Sequence, residues 1–450
     1  MSGGAAARTS AVAAARTSAV AIAREAIGAI DVEARVRESL ASIAPVTATA
    51  PIVVAAVGKA APAMTRGALA ALSSLALEAT RTVVVTADGT DARGLDADPR
   101  VRLLRAAHPI PDARSVAGAD ALLEAARGAG TLIALVSGGA SALACAPVHG
   151  LSLADKQALV AALLDAGAPI TDVNLVRRHL SRIKGGGLAR AAAPAPVHAR
   201  IVSDVLVSLG GAGGVDRDVV GGAPIDIGSG PAVADPTSGD DARAALARWA
   251  PSWLPRVGDL LSASRSERDA APLRDARIDT RIDARIEARV VASPFDLAEA
   301  AAEAARARGL QVIVERPSLD RVDDLAVWYA ARARGLAPGT ALVRVAEPSV
   351  PLPAQRGAGG RAGRLALATW VLGLPDDVEL ACVASDGVDG SSRAAGACVR
   401  GGIPGALRDA ARAALERYDD GAFLAQIGRA VAGAPSGTNL LDVHVLVRGS

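Results

Sequence analysis

The chain has 450 residues, and its 49 basic and 47 acidic side chains leave a net charge of only +2. A protein that binds nucleic-acid backbones normally carries a concentrated positive excess, and only 2% of this chain is aromatic, which leaves few rings to stack on bases. We therefore expect no nucleic-acid partner. The length exceeds what one hydrophobic core usually supports and predicts at least two domains.

Cysteine usage and hydropathy favour a cytoplasmic location. Cys145, Cys382 and Cys398 are an odd number without CxxC spacing, which is typical of a reducing compartment and argues against a zinc site. The five histidines also lack metal-ligand spacing. No run of about 18 uncharged apolar residues occurs outside interrupted alanine-rich tracts. We expect no membrane partner, and a homodimer is left open.

The N-terminus contains a duplicated octapeptide, AARTSAVA, in a stretch rich in alanine and arginine. Arginines interrupt each apolar run before it reaches the length of a signal-peptide core. We therefore interpret residues 1–22 as a helical or frayed extension rather than as a targeting peptide.

Short apolar runs rich in Val and Ile recur along the chain, separated by Ala/Leu/Arg stretches of helical period. Runs that are apolar throughout, rather than alternating, are typical of strands covered by helices on both faces. The pattern predicts a parallel α/β architecture, with ligands bound beyond the carboxyl ends of the strands. The predicted strands are PIVVAAVG (51–58), RTVVVTA (81–87), TLIALVSGG (131–139), HARIVSDVLV (198–207), LQVIVE (310–315) and ELACVASDG (379–387).

The clearest helix signal is SPFDLAEAAAEAARARG, residues 293–309. Ser293 can cap the first amides, Pro294 suits the first turn, and Gly309 can end the helix in the left-handed conformation. Just before it, RIDTRIDARIEAR (277–289) alternates in sign with a period of four, which predicts a solvated connector. Together with residues 250–275, this connector marks the expected domain boundary.

Glycine-rich turns after strands predict anion binding, because glycine lets backbone amides approach a phosphate and the following helix adds its positive end. In SGGAS, which follows TLIALV, we expect phosphate contact through Ser137, Gly138, Gly139 and Ser141. A nucleophilic serine is the less favoured alternative, because GxSxG is absent and no His–Asp pair is placed to serve it. No segment has the P-loop spacing GxxxxGK[ST], which argues against a Walker NTPase.

Lysine is rare in this chain, and two of its three lysines adjoin glycine. Lys59 lies in VGKAAPAM and Lys184 in RIKGGGLA, whereas Lys156 has no glycine neighbour. We expect Lys184, Gly185 and Gly186 to contribute to a phosphate or nucleotide site.

Several polar residues near strand ends are candidates for contact with substrate or metal. Asp386 and Asp389, in SDGVDG, could hold Mg²⁺ or accept a substrate proton, although a glycine-assisted turn is the favoured alternative. His108 and Asp112, in AAHPIPDA, stand equally for a rigid turn or a substrate contact. Asn174, in NLVRRHL, is a further candidate.

Seven segments, taken in chain order, resemble the class II glycerate 2-kinases, the family that ends in a MOFRL domain and whose members are often labelled hydroxypyruvate reductase. The resemblance extends from about residue 50 to 447. The segments are VGKAAPAM, HPIPD, LVSGGASALA, NLVRRHLSRIKGGGLA, DVVGGAPIDIGSGP, SDGVDGSSRAAGA and GTNLLDVHVLV.

The resemblance implies two α/β domains, with ATP, Mg²⁺ and glycerate bound in the cleft between them. Residues 23–250 would form an N-terminal domain with a Rossmann-like parallel sheet, 251–292 a variable linker, and 293–450 a MOFRL-type α/β domain. The implied activity is ATP-dependent phosphorylation of D-glycerate to 2-phosphoglycerate, with glycerate as a small-molecule partner.

The resemblance also implies catalytic roles. Lys59 matches the functional lysine of the family, and Arg361, in GAGGRAG, matches its arginine in GGRNQE. The functional aspartate of the SDVVGDDP motif could be either Asp204 or Asp218, because IVSDV and DRDVVGGAP each match part of that motif. We favour Asp204, because it directly ends a strand whereas Asp218 follows a glycine-rich loop, although the residues after Asp218 match the motif better.

Three departures from the family pattern keep other functions open. Asn-Gln-Glu of the family reads Ala362-Gly363-Arg364 here, Asp-Asp reads Gly222-Ala223, and the strand end SGGE reads VAE (345–347). The alternatives are an NAD(P)H-dependent hydroxypyruvate reductase and a catalytically weakened homologue that binds a nucleotide or small acid. The first lacks a sound dinucleotide fingerprint.

Overall fold

The computed structural model describes residues 18–41, 51–209, 218–268, 285–434 and 436–449, which fall into two compact units. The first unit comprises the described residues of 32–205 and 222–292. The second comprises those of 1–31, 206–221 and 293–450. This division differs from the predicted boundaries, because residues 206–221 and the N-terminal residues group with the C-terminal segment. None of the helices in the described ranges is both long and apolar enough to cross a membrane.

The described strands, in chain order, are β1 (Ile52–Val57), β2 (Thr80–Ala87), β3 (Val101–Ala106), β4 (Thr131–Val136), β5 (Val197–Val202), β6 (Leu206–Leu209), β7 (Asp218–Gly221), β8 (Ile286–Ala292), β9 (Gln311–Val314), β10 (Thr340–Ala346), β11 (Val378–Ala384), β12 (Ala394–Arg400), β13 (Ala430–Ala432) and β14 (Asp442–Arg448).

The described α-helices are α1 (Ala19–Ala29), α2 (Val32–Leu40), α3 (Ala61–Ala71), α4 (Ser74–Glu78), α5 (Ala113–Ala126), α6 (Ala140–Leu143), α7 (Leu153–Asp165), α8 (Ile170–His179), α9 (Gly187–Ala191), α10 (Gly239–Trp249), α11 (Leu254–Arg268), α12 (Pro294–Arg306), α13 (Val322–Gly335), α14 (Arg361–Leu372), α15 (Gly405–Glu416) and α16 (Asp420–Gln426).

The first unit contains a six-stranded sheet of order β3-β2-β1-β4-β5-β8, in which every pair is parallel. This is the Rossmann order, in which the strand sequence reverses between β1 and β4. All six residues of β1 and all six of β4 are buried, as expected for strands covered on both faces. The Rossmann-like parallel sheet predicted for this part of the chain is therefore confirmed.

The second unit contains a six-stranded sheet of order β13-β12-β11-β14-β10-β9. Only β9 and β10 are parallel, and β14 pairs antiparallel with both β10 and β11. Strands were predicted at β9 and β11, but the expectation of parallel pairing does not hold for this sheet. A fully buried antiparallel strand is apolar on both faces, so its composition does not distinguish it from a parallel one.

Two segments differ from their sequence predictions. Residues 19–22 of the predicted N-terminal extension belong to α1, whose buried residues Ala19, Ile22, Ala23 and Ala26 lie on one helical face, and residues 1–17 lie outside the described ranges. In the predicted connector, residues 286–289 belong to β8, which pairs with β5, and residues 277–284 also lie outside those ranges. The predicted linker thus contributes a strand to the first sheet, and also α11.

The helix predicted at 293–309 is confirmed as α12. The backbone amide of Ser293 donates to Asp296 Oδ2 at 2.9 Å, which satisfies an amide that the helix itself leaves free. Gly309 has a φ of +78°, so it closes the helix in the left-handed conformation, as the sequence indicates.

Lys156 is a structural lysine that caps α8. Its Nζ donates to the carbonyl oxygens of Leu180 at 2.8 Å and Arg177 at 3.3 Å, and only 4% of the residue is exposed. Burial lowers the pKa of Lys156 to about 8 from an ordinary value of 10.5.

We expect the free energy of unfolding to rise between about pH 8 and pH 10.5. In that window the unfolded chain binds the Lys156 proton and the folded chain does not, so raising the pH favours the folded state by at most about 1.4 kcal/mol per pH unit. Urea unfolding of the wild type and of Lys156→Met across this range tests the assignment. If the free energy of unfolding changed equally with pH in the two proteins, the assignment would be contradicted.

Candidate active site

The first unit brings two predicted turns together where β1 and β4 end. The amide of Lys59 donates to the carbonyl oxygen of Gly138 at 2.9 Å, and the amide of Ala60 donates to Ser137 Oγ at 3.0 Å. These two hydrogen bonds hold the backbone of the lysine against the SGGAS turn. The two turns lie at the point where the strand order reverses, which is where α/β proteins bind ligands.

Glycine is required next to the lysine. Gly58 has a φ of +130°, and a Cβ atom there would overlap Ser137 Oγ. Any side chain would therefore separate the two turns as well as strain the backbone. The glycine before Lys59 is therefore required for the SGGAS turn to pack against this segment.

The SGGAS turn offers backbone amides that the fold does not use. Gly139 has a φ of +82° and precedes the single-turn helix α6. Within the described residues, the amides of Gly138 and Gly139 make no hydrogen bond. A turn of this kind can accept a phosphate oxygen, as the sequence predicts, although no ligand contact is shown.

Lys184 lies behind this turn. Only 1% of the residue is exposed, and its Nζ is 2.9 Å from the carbonyl oxygen of Ser141 and 3.0 Å from Ser141 Oγ. Ser141 Oγ is in turn 2.7 Å from Ser229 Oγ. Lys184 therefore contacts the turn from inside the protein, rather than extending from its surface.

The amides of Gly185 and Gly186 are already paired. Gly185 donates to the carbonyl oxygen of Ser229 at 3.0 Å, and Gly186 donates to that of Gly230 at 2.8 Å. These bonds tie the KGGG turn to the IGSGP segment. In contrast to the prediction of phosphate contact, the two amides serve the packing of this turn.

A buried ion pair supports the same region. Arg178 Nε donates to Asp235 Oδ2 at 3.1 Å, and the two side chains are 8% and 3% exposed. Asp235 Oδ1 accepts the amide of Thr237 at 3.0 Å. A Cβ atom on Gly185 would lie 2.8 Å from Asp235 Oδ2, so this pair packs directly on the KGGG turn.

Asp204 follows β5 at the same edge of the first sheet, beside β4. The residue is partly buried and takes part in an interaction within the protein. Asp218 is the first residue of β7, a strand of the second unit, and its side chain lies outside the described part of the structure. Only Asp204 is placed at the edge that carries Lys59, which keeps it the favoured aspartate.

The remaining candidates of the first unit have local roles. Asp112 caps α5, because its Oδ1 accepts the amides of Arg114 at 3.0 Å and Ser115 at 3.2 Å. Asn174 Oδ1 accepts a hydrogen bond from Arg177 along α8 at 3.2 Å. His108 is exposed, and its ring lies against Gly139, where an added Cβ would be 3.1 Å from Cδ2. His108 is thus the one of these three that adjoins the SGGAS turn.

In the second unit, Arg361 is held by two carboxylates. Its Nε and Nη2 donate to Asp442 at 2.8 and 3.1 Å, and its Nη1 donates to Glu347 Oε1 at 2.8 Å. Burial disfavours the charged guanidinium, but Asp442 and Glu347 outweigh it and raise the pKa of Arg361. The guanidinium fork expected to bind a ligand anion thus holds two acids of the chain itself.

Asp389 caps the same helix, α14. Its two carboxylate oxygens accept the amides of Ala362 at 3.0 Å and Gly363 at 2.8 Å. Burial, and then the nearby Asp442, raise the pKa of Asp389 to about 7 against the effect of these hydrogen bonds. Asp386 Oδ1 accepts the amide of Val388 at 3.0 Å, as in the glycine-assisted turn that the sequence favours.

Asp420 is a buried acid with incomplete hydrogen bonding. It is 2% exposed, and its Oδ2 has no hydrogen-bond partner within the described residues. Burial raises the pKa of Asp420 to about 6 from its ordinary 3.8. A group with a raised pKa stabilises the fold at low pH, and that contribution is lost as the pH rises through the folded value.

We therefore expect Asp420→Asn to gain stability relative to the wild type as the pH rises from about 4 to 7. The difference in unfolding free energy should grow by about 1–3 kcal/mol, because the variant no longer ionises a buried carboxyl group. Denaturant unfolding at several pH values measures it. Asp323→Asn, at an exposed position of α13, is the matched control and should show no such trend.

Sequence reasoning missed three residues that complete these networks, Ser229, Glu347 and Asp442. Asp442 is the first residue of β14 and pairs with the last residues of both β10 and β11, which is why an acid there is fully buried. The available signal was an acid at the start of the apolar run LLDVHVLV. Ser229 carried a weaker signal, a serine between two glycines.

The fold and these turns define a two-unit α/β protein in which two glycine-containing turns meet at the switch point of a Rossmann-ordered sheet. A family model described as "Domain of unknown function (DUF4147)" matches residues 18–209, and another described as "MOFRL family" matches residues 340–442. A hydroxypyruvate reductase by name from Agrobacterium vitis is 35% identical over 368 residues, or 78% of either chain. The D-glycerate 2-kinase of Thermotoga maritima is 29% identical over 409 residues, covering 88% of this chain and 90% of the relative.

The solved structure of glycerate kinase from Thermotoga maritima has a TM-score of 0.79 to this chain at 26% identity, and the match covers 96% of this chain and 98% of that one. With the family model and the relatives, this establishes the resemblance noted in the sequence. The chain belongs to the class II glycerate 2-kinase family, whose C-terminal part is the MOFRL domain.

Proposed function

We propose that this chain transfers the γ-phosphoryl group of ATP to the C2 hydroxyl of D-glycerate and releases 2-phosphoglycerate. The observation that carries the proposal is the joining of the Lys59 turn to the SGGAS turn at the switch point of the first sheet. A lysine whose backbone is held against a turn with free amides suits a phosphoryl group, whose transfer depends mainly on positioning and charge neutralisation. The name of the Thermotoga maritima relative supports glycerate as the acceptor.

The site residues fit a nucleotide and a magnesium ion. The amides of Gly138 and Gly139 are available for phosphate oxygens, and Asp204 supplies a carboxylate at the same edge of the sheet. Among the described residues, no group of three or more His, Cys, Asp or Glu side chains could hold a metal by itself. Mg²⁺ usually binds through one or two carboxylates together with substrate phosphates, and when bound it neutralises phosphate charge.

The proposal assigns distinct tasks to three residues. Lys59 neutralises the phosphoryl group in transfer. Asp204 accepts the proton of the C2 hydroxyl or orients the ion, both of which need an ionised carboxylate. Arg361 keeps Glu347 and the N-terminus of α14 in place, since three of its N–H groups already bind carboxylates.

Two rival functions find less support. The turn after β1, where a Rossmann-type dehydrogenase carries GxGxxG, reads VGKAAPAM here, and this argues against the reductase activity in the name of the Agrobacterium vitis relative. A weakened homologue was suggested by the altered GGRAGR motif. Yet Arg361 in that motif forms ion pairs with Glu347 and Asp442. These ion pairs do not depend on the Asn-Gln-Glu of the family motif, which this chain lacks. The free thiols of Cys145, Cys382 and Cys398 fit a cytoplasmic enzyme.

Phosphorus NMR of the reaction product tests the proposal. Purified protein is incubated with ATP, Mg²⁺ and D-glycerate, and a parallel sample receives hydroxypyruvate and NADH. A new phosphate ester coupled to a single proton identifies 2-phosphoglycerate, whereas coupling to the two protons of a methylene group identifies the 3-isomer. NADH consumption without a new ester would establish the reductase instead, and no reaction in either sample would favour the weakened homologue.

A further inference from the structure

Ser141, Lys184 and Ser229 form a chain of hydrogen bonds that the proposed function does not use. Lys184 Nζ lies 3.0 Å from Ser141 Oγ, and Ser141 Oγ lies 2.7 Å from Ser229 Oγ. Lys184 and Ser229 are each 1% exposed, whereas Ser141 is half-buried. Ser141 is therefore the only member of the three that a ligand in the SGGAS turn can reach.

The surroundings of Lys184 favour a neutral amine. No carboxylate of the described residues lies within ion-pair distance of its Nζ. Burial first, and then the charges of Arg177 and Lys156, lower the pKa of Lys184 well below the usual range of lysine, and the Cys145 thiol opposes them only in part. A lysine whose pKa is lowered in this way loses its proton more readily, and its neutral amine can act as a base.

The protonation state of Lys184 determines which group donates and which accepts in these hydrogen bonds. When its amine is neutral, Nζ has a lone pair that accepts the Ser141 proton, and Ser229 then donates to Ser141. In this arrangement the hydroxyl proton of Ser141 points into the protein, and a lone pair of its oxygen remains for an electrophile. This is the geometry of an activated nucleophile and its base, with lysine in place of histidine.

We propose that Ser141 is a lysine-activated nucleophile that accepts the γ-phosphoryl group of ATP when glycerate is absent. In this step Lys184 Nζ takes the hydroxyl proton and becomes an ammonium, and Ser141 Oγ forms a bond to the γ-phosphorus. The bond from that phosphorus to the bridging oxygen breaks, and ADP leaves with its electron pair. The free amides of Gly138 and Gly139 lie in the same turn and can stabilise the charge on the transferring group.

The nucleophile can be tested without nucleotide, by labelling with an alkyl fluorophosphonate, a phosphorus electrophile that marks activated serines. We expect one label on Ser141, found by intact mass and peptide mapping. The label should be lost in Ser141→Ala and slowed at least tenfold in Lys184→Met, the size of a missing general base. Lys156→Arg is the control, because it changes a buried lysine that contacts no serine hydroxyl but keeps the positive charge that acts on Lys184, and it should label like the wild type.

The pH dependence of labelling in the wild type gives a readout that does not depend on a variant folding. The rate should rise with deprotonation of Lys184 and level off well below pH 10.5, the ordinary pKa of a lysine, because burial lowers the pKa of Lys184. An unactivated serine would label slowly at every pH, with a rate that keeps rising with hydroxide. That behaviour, or labelling unaffected by Lys184→Met, would overturn the assignment of the base.

The phosphoryl step rests on the proposed kinase function, so both are measured in one preparation. Protein and Mg·ATP without glycerate should gain the mass of one phosphate on Ser141, and added D-glycerate should compete with that gain. Glycerate turnover without any phosphate on Ser141, and without fluorophosphonate labelling, would overturn this inference and leave the kinase intact. Labelling by the fluorophosphonate without glycerate turnover would instead remove the kinase function and retain the nucleophile.

Discussion

Lys59→Met is expected to lower kcat for glycerate phosphorylation by about 10² to 10³, the usual loss when one charge-stabilising contact to a transition state is removed. The backbone position of residue 59 should persist, because it depends on the amide of Lys59 and on that of Ala60, which bond to Gly138 and Ser137. Melting temperature should therefore change by only a few degrees. Initial rates and thermal unfolding, measured on the same protein, test both expectations.

Lys59→Arg provides the companion variant. Arginine restores the positive charge but cannot place it as a compact ammonium, so we expect partial recovery of kcat. If Lys59→Met retained a rate within twofold of the wild type, Lys59 would not be the group that neutralises the phosphoryl charge. The role would then pass to another residue near the SGGAS turn.

Arg361→Ala should destabilise the second unit by about 3–5 kcal/mol, because it leaves the buried carboxylate of Asp442 without its cation. Asp442 is fully buried and receives two of the guanidinium hydrogen bonds. Urea unfolding at pH 7 measures the loss. Arg361→Lys should recover only part of it, since an ammonium cannot reproduce the two parallel bonds to one carboxylate.

Arg306→Ala is the matched control for that prediction. Arg306 also pairs with an acid of the second unit, Glu299, at 2.7 Å, but the two side chains are 51% and 56% exposed. Exposed ion pairs contribute between about 0 and 1 kcal/mol to the free energy of unfolding, so this variant should have nearly the same stability as the wild type. Equal losses for Arg361→Ala and Arg306→Ala would show that the Asp442 pair does not stabilise this unit.

The sequence predicted the interior strands of the first sheet because those strands are apolar on both faces. β1, β2 and β4 are almost continuously buried, and each was expected within one to three residues of its ends. The two edge strands were not predicted. Only one residue of β3 and one of β8 are buried, and exposed residues such as Arg102 and Arg289 give these strands the composition of a charged loop or connector.

The direction of the strands in the second sheet could not be predicted from the residues of the individual strands. Val378–Ala384 and Asp442–Arg448 have the apolar composition of strands buried on both faces, yet they pair antiparallel. Direction is set by which elements the chain connects, not by the residues of one strand. The same limit explains α1, whose alanine-rich face packs within a unit formed mainly by the other end of the chain.

Turns could be predicted from local sequence, whereas the distant partners of the site residues could not. Ser137 and Gly139 lie at the end of a predicted strand, and the glycine-rich pattern identifies their turn and predicts contact with an anion. The partners of Arg361 and Ser141 could not be predicted, because Asp442 lies 81 residues from Arg361 and Ser229 lies 88 residues from Ser141. The burial of Lys184 could not be predicted from the sequence either. Because of this burial, we propose Lys184 as a base rather than as a contact to phosphate.

We propose that this chain phosphorylates the C2 hydroxyl of D-glycerate, and an assay that couples product formation to enolase in the absence of phosphoglycerate mutase tests this claim. Enolase consumes only 2-phosphoglycerate, so phosphoenolpyruvate appears only if the phosphate is placed on C2. We expect phosphoenolpyruvate to form in proportion to enzyme, and only with D-glycerate, ATP and Mg²⁺ all present. Consumption of ATP without phosphoenolpyruvate, or no consumption at all, would contradict the claim.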